Sequence, residues 1–231
     1  PDKLRYMLID DALSRSDIHT ASRLMGDQVA PPEGVDALLW ELHRARILVM
    51  GGKHGKGVQV LHAILGSFPG IDDKKLDRFT QILFDLQTIG AHHEAIALFE
   101  MLPVSRESQR YREILFWMAD SNKALEQYED AARQYLQSAV VFGENNMDPW
   151  AQTARYQAAD MLAKAGIRED AKQIYKRLLK FTKDPARRAA IQNRIQKLWL
   201  KPVQGLEPEE ELKPVDVSKP ESALVLPIVQ P

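Results

Sequence analysis

Histidine is the side chain best suited to proton transfer or metal ligation near neutrality, and this chain has six. His92 and His93 are adjacent, so on a helix they point about 100° apart and close poorly on one ion. A helical zinc motif sets two histidines four residues apart, and no pair here has that spacing. His43, His54 and His62 scatter through one stretch and are expected to be hydrogen-bonded or solvated. The segment 50–57, MGGKHGKG, is the one Gly-rich basic loop. A phosphate-cradling P-loop follows a buried strand and ends in Gly-Lys-Ser/Thr. Here a helical pattern from Leu38 to Val49 precedes it and Val58 follows Lys56-Gly57, so a flexible helix–helix turn is expected. Asp10-Asp11 and Asp72-Asp73 are sequence neighbours, expected at helix ends where they suit the dipole. With no cysteine, thiol nucleophiles, disulfides and Cys-bearing zinc sites are excluded. No catalytic, cofactor-binding or metal residue is assigned, and the chain is expected not to be an enzyme.

The bulk numbers agree. Of 231 residues, 31 are basic and 32 acidic, for a net charge of −1. That balance lacks the cationic surplus that neutralises phosphates, so nucleic acid is not an expected partner. No window approaches the 18 apolar residues of a membrane span. The chain opens on Pro1, and Asp2-Lys3-Leu4-Arg5 has no leader character; the expectation is a segment of a longer or processed protein. The lack of cysteine favours a periplasmic or envelope location over a cytoplasmic one.

The elements that would position any site follow from an internal repeat. A small residue followed four places later by a bulky one recurs at Ala21/Met25, Gly57/Leu61, Ala95/Phe99, Ala131/Tyr135 and Ala171/Tyr175. About a dozen residues upstream lie further small or apolar pairs, clearest at Ile82-Leu83, Met118-Ala119 and Ala158-Ala159. Two amphipathic helices per unit of about 36 residues is the simplest reading. The small residue lets two helices approach at their crossing, and the bulky one fills the space one turn later. One hairpin cannot bury both apolar faces, so units stack. Asp148-Pro149 and Asp184-Pro185 read as N-caps with proline in the first turn, and Gly90 and Gly166 as left-handed inter-helix residues.

Phe79-x-x-Ile82-Leu83-x-x-Leu86, Gly90, Ala95-x-x-x-Phe99 and Pro103 together resemble the tetratricopeptide repeat. So do Arg155-x-x-Ala158-Ala159-x-x-Leu162, Gly166, Ala171-x-x-x-Tyr175, and Leu115-x-x-Met118-Ala119 with Ala131-x-x-x-Tyr135. The last unit departs at Asn122 and Glu126, where the family places a large residue and often a glycine. The unit around Trp40 is degenerate, with Glu41 and Arg44 at apolar places. The run 150–159, WAQTARYQAA, is similar to bacterial multi-repeat proteins of the cell envelope. The resemblance covers residues 4–183 and implies an all-α, right-handed solenoid of about five hairpins. Degenerate units are placed at 4–33 and 35–70, clearer units at 76–104, 112–147 and 150–184, and a capping helix at 185–200. Residues 201–231, with proline every six or seven positions and an acidic block at 207–211, form a Pro-rich extended tail or linker outside the 1–200 repeat domain.

The family's first helices line a concave groove. The resemblance places Leu42, Arg46, Thr80, Phe84, Gln87, Phe116, Asp120, Lys123, Tyr156 and Asp160 inward. Of these, Arg46, Phe84, Phe116, Asp120, Lys123, Tyr156 and Asp160 are the candidate binding residues for an extended peptide or partner helix; packing between units is the alternative role for Phe84, Phe116 and Tyr156. Glu113, Asp120 and Asp160 depart from the family's Lys/Asn/Arg carboxylate clamp, which argues against capture of a carboxylate-ended tail. The expected function is a non-enzymatic protein–protein scaffold, within a bacterial envelope assembly, whose partner is another protein or the chain's own tail; an oligomer is a further possibility. The alternative is the interaction arm of a larger enzyme whose catalytic domain lies elsewhere. The apolar run 223–229, ALVLPIV, is expected to dock on a helical face or a neighbouring molecule.

Overall fold

The computed structural model describes residues 2–26, 30–67 and 71–200. Among them are eleven α-helices and no strand. The chain forms two compact units, Pro1–Leu102 and Pro103–Pro231. The first holds α1 (Asp2–Ser14), α2 (Ile18–Met25), α3 (Ala37–Met50), α4 (His54–Ser67), α5 (Asp73–Thr88) and α6 (His92–Glu100). The second holds α7 (Gln109–Ala124), α8 (Tyr128–Val140), α9 (Pro149–Lys164), α10 (Arg168–Phe181) and α11 (Pro185–Lys197). Pairs α1/α2, α3/α4, α5/α6, α7/α8 and α9/α10 pack as hairpins, and α11 packs on α10. The fold is all-helical, as the periodicity requires. The expected tail, 201–231, lies outside the described residues.

Local chemistry sets the helix starts. Asp17, Asp36, Asp72, Ser108, Asp148 and Asp184 each accept a hydrogen bond from the backbone N–H three residues on, satisfying a donor the helix leaves orphaned. Pro149 and Pro185 occupy the first turn, where a missing N–H costs nothing.

All five hairpin turns share one geometry. Ser16, Gly52, Gly90, Glu126 and Gly166 have left-handed backbones with φ of 58°, 83°, 82°, 59° and 84°. The N–H of the following residue bonds back to a helix carbonyl five residues earlier: Asp17 to Ala12, Lys53 to Leu48, Ala91 to Leu86, Gln127 to Asn122 and Ile167 to Leu162, at 2.8–2.9 Å. This is the closure that satisfies the last carbonyls of a helix. Each left-handed residue sits five positions before the small residue of its crossing.

The crossings are tight. Ala21, Ala95, Ala131 and Ala171 are fully buried, as are Met25, Leu61, Tyr135 and Tyr175 one turn later. Gly57 takes the same place in α4. A Cβ there would lie 2.6 Å from Val49 Cγ2 and 2.9 Å from the Ala45 carbonyl, so α3 and α4 approach too closely even for alanine. In the second unit Tyr156, Ala159, Ala171, Tyr175, Leu178, Ile191 and Leu198 form one buried cluster, which seats α11.

Two local expectations need correcting, and a third is narrowed. Asp72 caps α5 and Asp73 lies in its first turn, but Asp10-Asp11 fall in the C-terminal half of α1, the unfavourable end of the dipole. The neighbouring Arg15 side chain offsets this by bonding Asp11. The Gly-rich segment forms the expected helix–helix turn, but a shorter one: only 51–53 lie between the helices, and α4 begins at His54. The turn is fixed by contact of His19 Nδ1 with the Gly51 carbonyl (3.2 Å) and by Lys53 Nζ donating to the Ser22 carbonyl (3.2 Å). His43, expected to be bonded or solvated, instead has a buried Nδ1 with no hydrogen-bond partner. Burial, reinforced by Arg78 and Arg46, lowers its pKa to about 4. Glu41 and Arg44, at places the family makes apolar, neutralise each other in a 2.7 Å ion pair.

Candidate functional site

The seven candidate residues divide between the two units. Arg46 and Phe84 belong to the first. Arg46 Nε donates to Asp85 Oδ2 across α3 and α5 at 2.8 Å, and both side chains are largely buried. Phe84 is 6% exposed and tilts against Phe99 with centroids 6.3 Å apart.

Phe116, Asp120, Lys123, Tyr156 and Asp160 belong to the second unit, on α7 and α9. Phe116 is 4% exposed and meets Tyr135 and Trp150 edge-on at 4.9 and 5.2 Å. Tyr156 is 8% exposed and meets Tyr175 at 5.8 Å. These rings form an aromatic floor, and the carboxylates sit one turn further along. The Tyr135 hydroxyl donates to Asp120, and the Tyr175 hydroxyl to Asp160. The two pairs are the same device in successive hairpins. At the corresponding position of α5/α6 stands the Phe84–Phe99 pair.

Helix α11 brings a residue the sequence reading assigned no role. Arg194 Nε donates to the Tyr156 hydroxyl at 3.2 Å and lies 3.5 Å from Asp160 Oδ1. Lys123 and Lys164 also act electrostatically on Asp160. Burial nevertheless raises the Asp160 pKa, and the Tyr175 bond and these cations pull against it. Burial likewise raises the Tyr175 hydroxyl, with Asp160 adding to the effect, so it stays a proton donor. The α7–α9–α11 face therefore presents partly exposed charges of both signs over a closed aromatic floor.

A second constellation holds the α8–α9 connection. Arg112, a buried cation, donates from both terminal nitrogens to Asp148 at 2.8 and 2.6 Å. Its guanidinium lies 5.1 Å from the Phe142 ring centre and 5.7 Å from that of Trp150. Trp150 Nε1 donates to Ser138 Oγ (2.9 Å), which donates to the Arg112 carbonyl (2.7 Å). Arg155 donates to the carbonyls of Asn146 (2.5 Å) and Glu144 (2.8 Å). These arginines are spent on loop carbonyls and one carboxylate, a structural use. A third feature is a groove of about 620 Å³ between α8 and α10, which spacing along a sequence does not reveal.

Among the described residues no group of three or more His, Asp or Glu is placed to hold a metal ion. No helix among them is long and apolar enough to cross a membrane.

The class these features define is an array of antiparallel helical hairpins closed by small-residue crossings and left-handed turns. No known family model matches the chain, and no curated protein does. Two solved structures are similar in fold, both described as a putative kinesin light chain from Podosopora anserina with nearly identical TPR-like repeats. One, a variant with methionine for a glutamine, is 14% identical with a TM-score of 0.47; the other is 15% identical with a TM-score of 0.48. Each alignment covers 84% of this chain and 96% of the other.

Proposed function

We propose that the chain is a protein–protein interaction scaffold that takes an extended segment or a helix of a partner on the α7–α9–α11 face. The observation that carries this reading is the strip of Asp120, Lys123, Asp160 and Arg194 from three helices, with Arg194 3.5 Å from Asp160. Charges of both signs on a rigid helical platform fix register and exclude wrong partners more than they add affinity. The buried rings of Phe116 and Tyr156 hold that platform, so the partner meets the charged strip. Residues Arg46 and Phe84 extend the proposal to the first unit, with Arg46 held by Asp85 as the polar contact.

Placement in a bacterial envelope assembly is the finer part of the proposal. It is supported by the cysteine-free composition, which suits an oxidising compartment, and by the 150–159 run. The test is selection of ligands from a random peptide library on the full chain, followed by charge reversal. Ligands whose binding falls at least tenfold with Lys123→Glu or Arg194→Glu, at unchanged helical circular dichroism, support the face. Ligands indifferent to both changes place binding elsewhere.

A further inference from the structure

The groove between α8 and α10 is charged at its ends and aliphatic between them. Leu136 and Val140 line the middle from α8, Leu162 from α9 and Ile174 from α10. Val140 is exposed and the other three are half-buried. At the start of α8 the charges are settled within the chain. Arg133 pairs with Asp130, and Glu129 lies in the first turn of α8, where the helix dipole favours a carboxylate.

Beyond the last turn of α8 the balance differs. Arg155 is 4% exposed and donates to the carbonyls of Asn146 and Glu144. Arg177 is exposed and donates to the same Glu144 carbonyl and to Asn145 Oδ1. These bonds use N–H groups, but neutral oxygens leave both positive charges in place. Asp148, the carboxylate that acts on Arg155, already accepts from Arg112 through both its oxygens. Burial, then the neighbouring Arg177, lowers the Arg155 pKa, as two like charges in one place require. The guanidiniums of Arg112, Arg155 and Arg177 thus meet only two carboxylates, those of Asp148 and the exposed Glu144. This end of the groove carries a positive surplus beside half-covered aliphatic side chains.

The spacing suits an extended chain. Leu136 and Val140 are one helical step of four residues apart, about 6 Å along α8. Side chains on one side of an extended segment recur every second residue, about 6.6 Å. Aliphatic residues at i and i+2 therefore match that step, and i+4 falls one step further, past the end of α8, where the guanidiniums stand.

We propose that the α8–α10 groove is a second binding site, independent of the α7–α9–α11 face, for an extended segment of a partner protein with the pattern aliphatic-x-aliphatic-x-acid. Arg177 receives the carboxylate, with the buried charge of Arg155 behind it, and the aliphatic pair covers Leu136, Val140 and Ile174.

Amide chemical-shift titration of the full chain tests this with two synthetic peptides, acetyl-Leu-Ser-Leu-Ser-Glu-Ser-amide and the same peptide with Gln for Glu. Shifts are expected on α8 and α10, around Leu136, Ile174 and Arg177. The acidic peptide should bind about threefold tighter, the scale of a partly exposed ion pair, and added salt should erase the difference. Arg177→Gln should bring the two peptides level, whereas Arg177→Lys, which also removes the guanidinium but keeps the charge, should leave them apart. Equal affinity of the two peptides for the unmodified chain overturns the proposal. So does an acid preference that survives Arg177→Gln, a set of shifts confined to α7, α9 and α11, or no shift at millimolar peptide.

Discussion

The α5/α6 hairpin and its two counterparts in the second unit solve one packing problem in opposite ways. Each brings an α-helix with a small residue at the crossing against a partner helix, and each must seal the space beside the next turn. In α5/α6 the seal is Phe84 against Phe99. In α7/α8 and α9/α10 it is a tyrosine hydroxyl donating to Asp120 or Asp160. The aromatic seal gains stability from buried area alone. The polar seal must offset the desolvation of a carboxylate, and it places charge on a helical face where a partner can meet it. The backbone is indifferent to the choice, so stability and recognition are set independently at this position.

The largest expected effect breaks the polar side of the comparison at its deepest point. Asp148→Ala leaves the buried Arg112 guanidinium without its carboxylate and also removes the α9 cap. Uncompensated buried charge costs about 3–5 kcal/mol, against about 1 kcal/mol for loss of a cap alone, as in Asp17→Ala, which removes the α2 cap in the first unit. Chemical denaturation of both variants measures the difference, and equal losses would mean Arg112 is well solvated.

Next is the seal itself. Tyr175→Phe should cost about 1–3 kcal/mol by removing the hydroxyl donor of a buried carboxylate, which keeps Arg194 at 3.5 Å. Phe99→Tyr should cost a similar amount by burying an unmatched hydroxyl opposite Phe84. In the double variant Phe84→Asp/Phe99→Tyr, a double-mutant cycle should show favourable coupling of about 1 kcal/mol. Zero coupling would show that the Asp–Tyr bond depends on surroundings found only in the second unit.

Acid sharpens the contrast between the units. His43, its pKa lowered by burial to about 4, is held neutral in the fold while the unfolded chain binds a proton more readily. Its contribution is complete above about pH 6.5 and is lost as pH falls towards 4. Asp148 is held at about 2, chiefly by hydrogen bonds from Arg112. Its contribution is complete above about pH 4 and is lost only as pH falls towards 2, worth about 1 kcal/mol once solvent screening is allowed for. Trp40, whose ring lies 5.9 Å from His43, should therefore report weakening at higher pH than Trp150 does. His43→Leu should remove the slope between pH 6.5 and 4, and an unchanged slope would place the titrating group elsewhere.

The smallest effect concerns the turns. Glu126 has the left-handed backbone that glycine supplies at Gly90 and Gly166, a conformation costing a side-chain-bearing residue about 1–2 kcal/mol. Glu126→Gly should stabilise by about 0.5 kcal/mol after glycine's extra chain entropy is counted, and Gly166→Ala should destabilise by about 1 kcal/mol. Thermal midpoints of the two variants should move in opposite directions.

What the sequence disclosed followed from how local the signal was. The crossings could be read because Ala21, Gly57, Ala95, Ala131 and Ala171 each face a constraint written within five residues, the small side chain and its bulky successor. The turns at Gly90 and Gly166 were legible for the same reason; those at Ser16 and Glu126 were hidden, because a left-handed serine or glutamate carries no mark of its own. Arg194 looked like part of a cap, since only the approach of α11 to α9 brings it to Tyr156 and Asp160. The α8–α10 groove and the unpartnered His43 nitrogen arise from spacing between helices, which no single helix encodes.

The α8–α9 connection has a mechanical meaning. Arg112 grips the far end of this loop through Asp148, Arg155 grips its middle through the carbonyls of Glu144 and Asn146, and Arg177 reaches Asn145 from α10. Tension pulling α8 away from α9 would load these bonds together rather than one after another. Under force the two hairpins of the second unit should let go as one piece, so that a protein held at its ends and stretched would give way there in a single step.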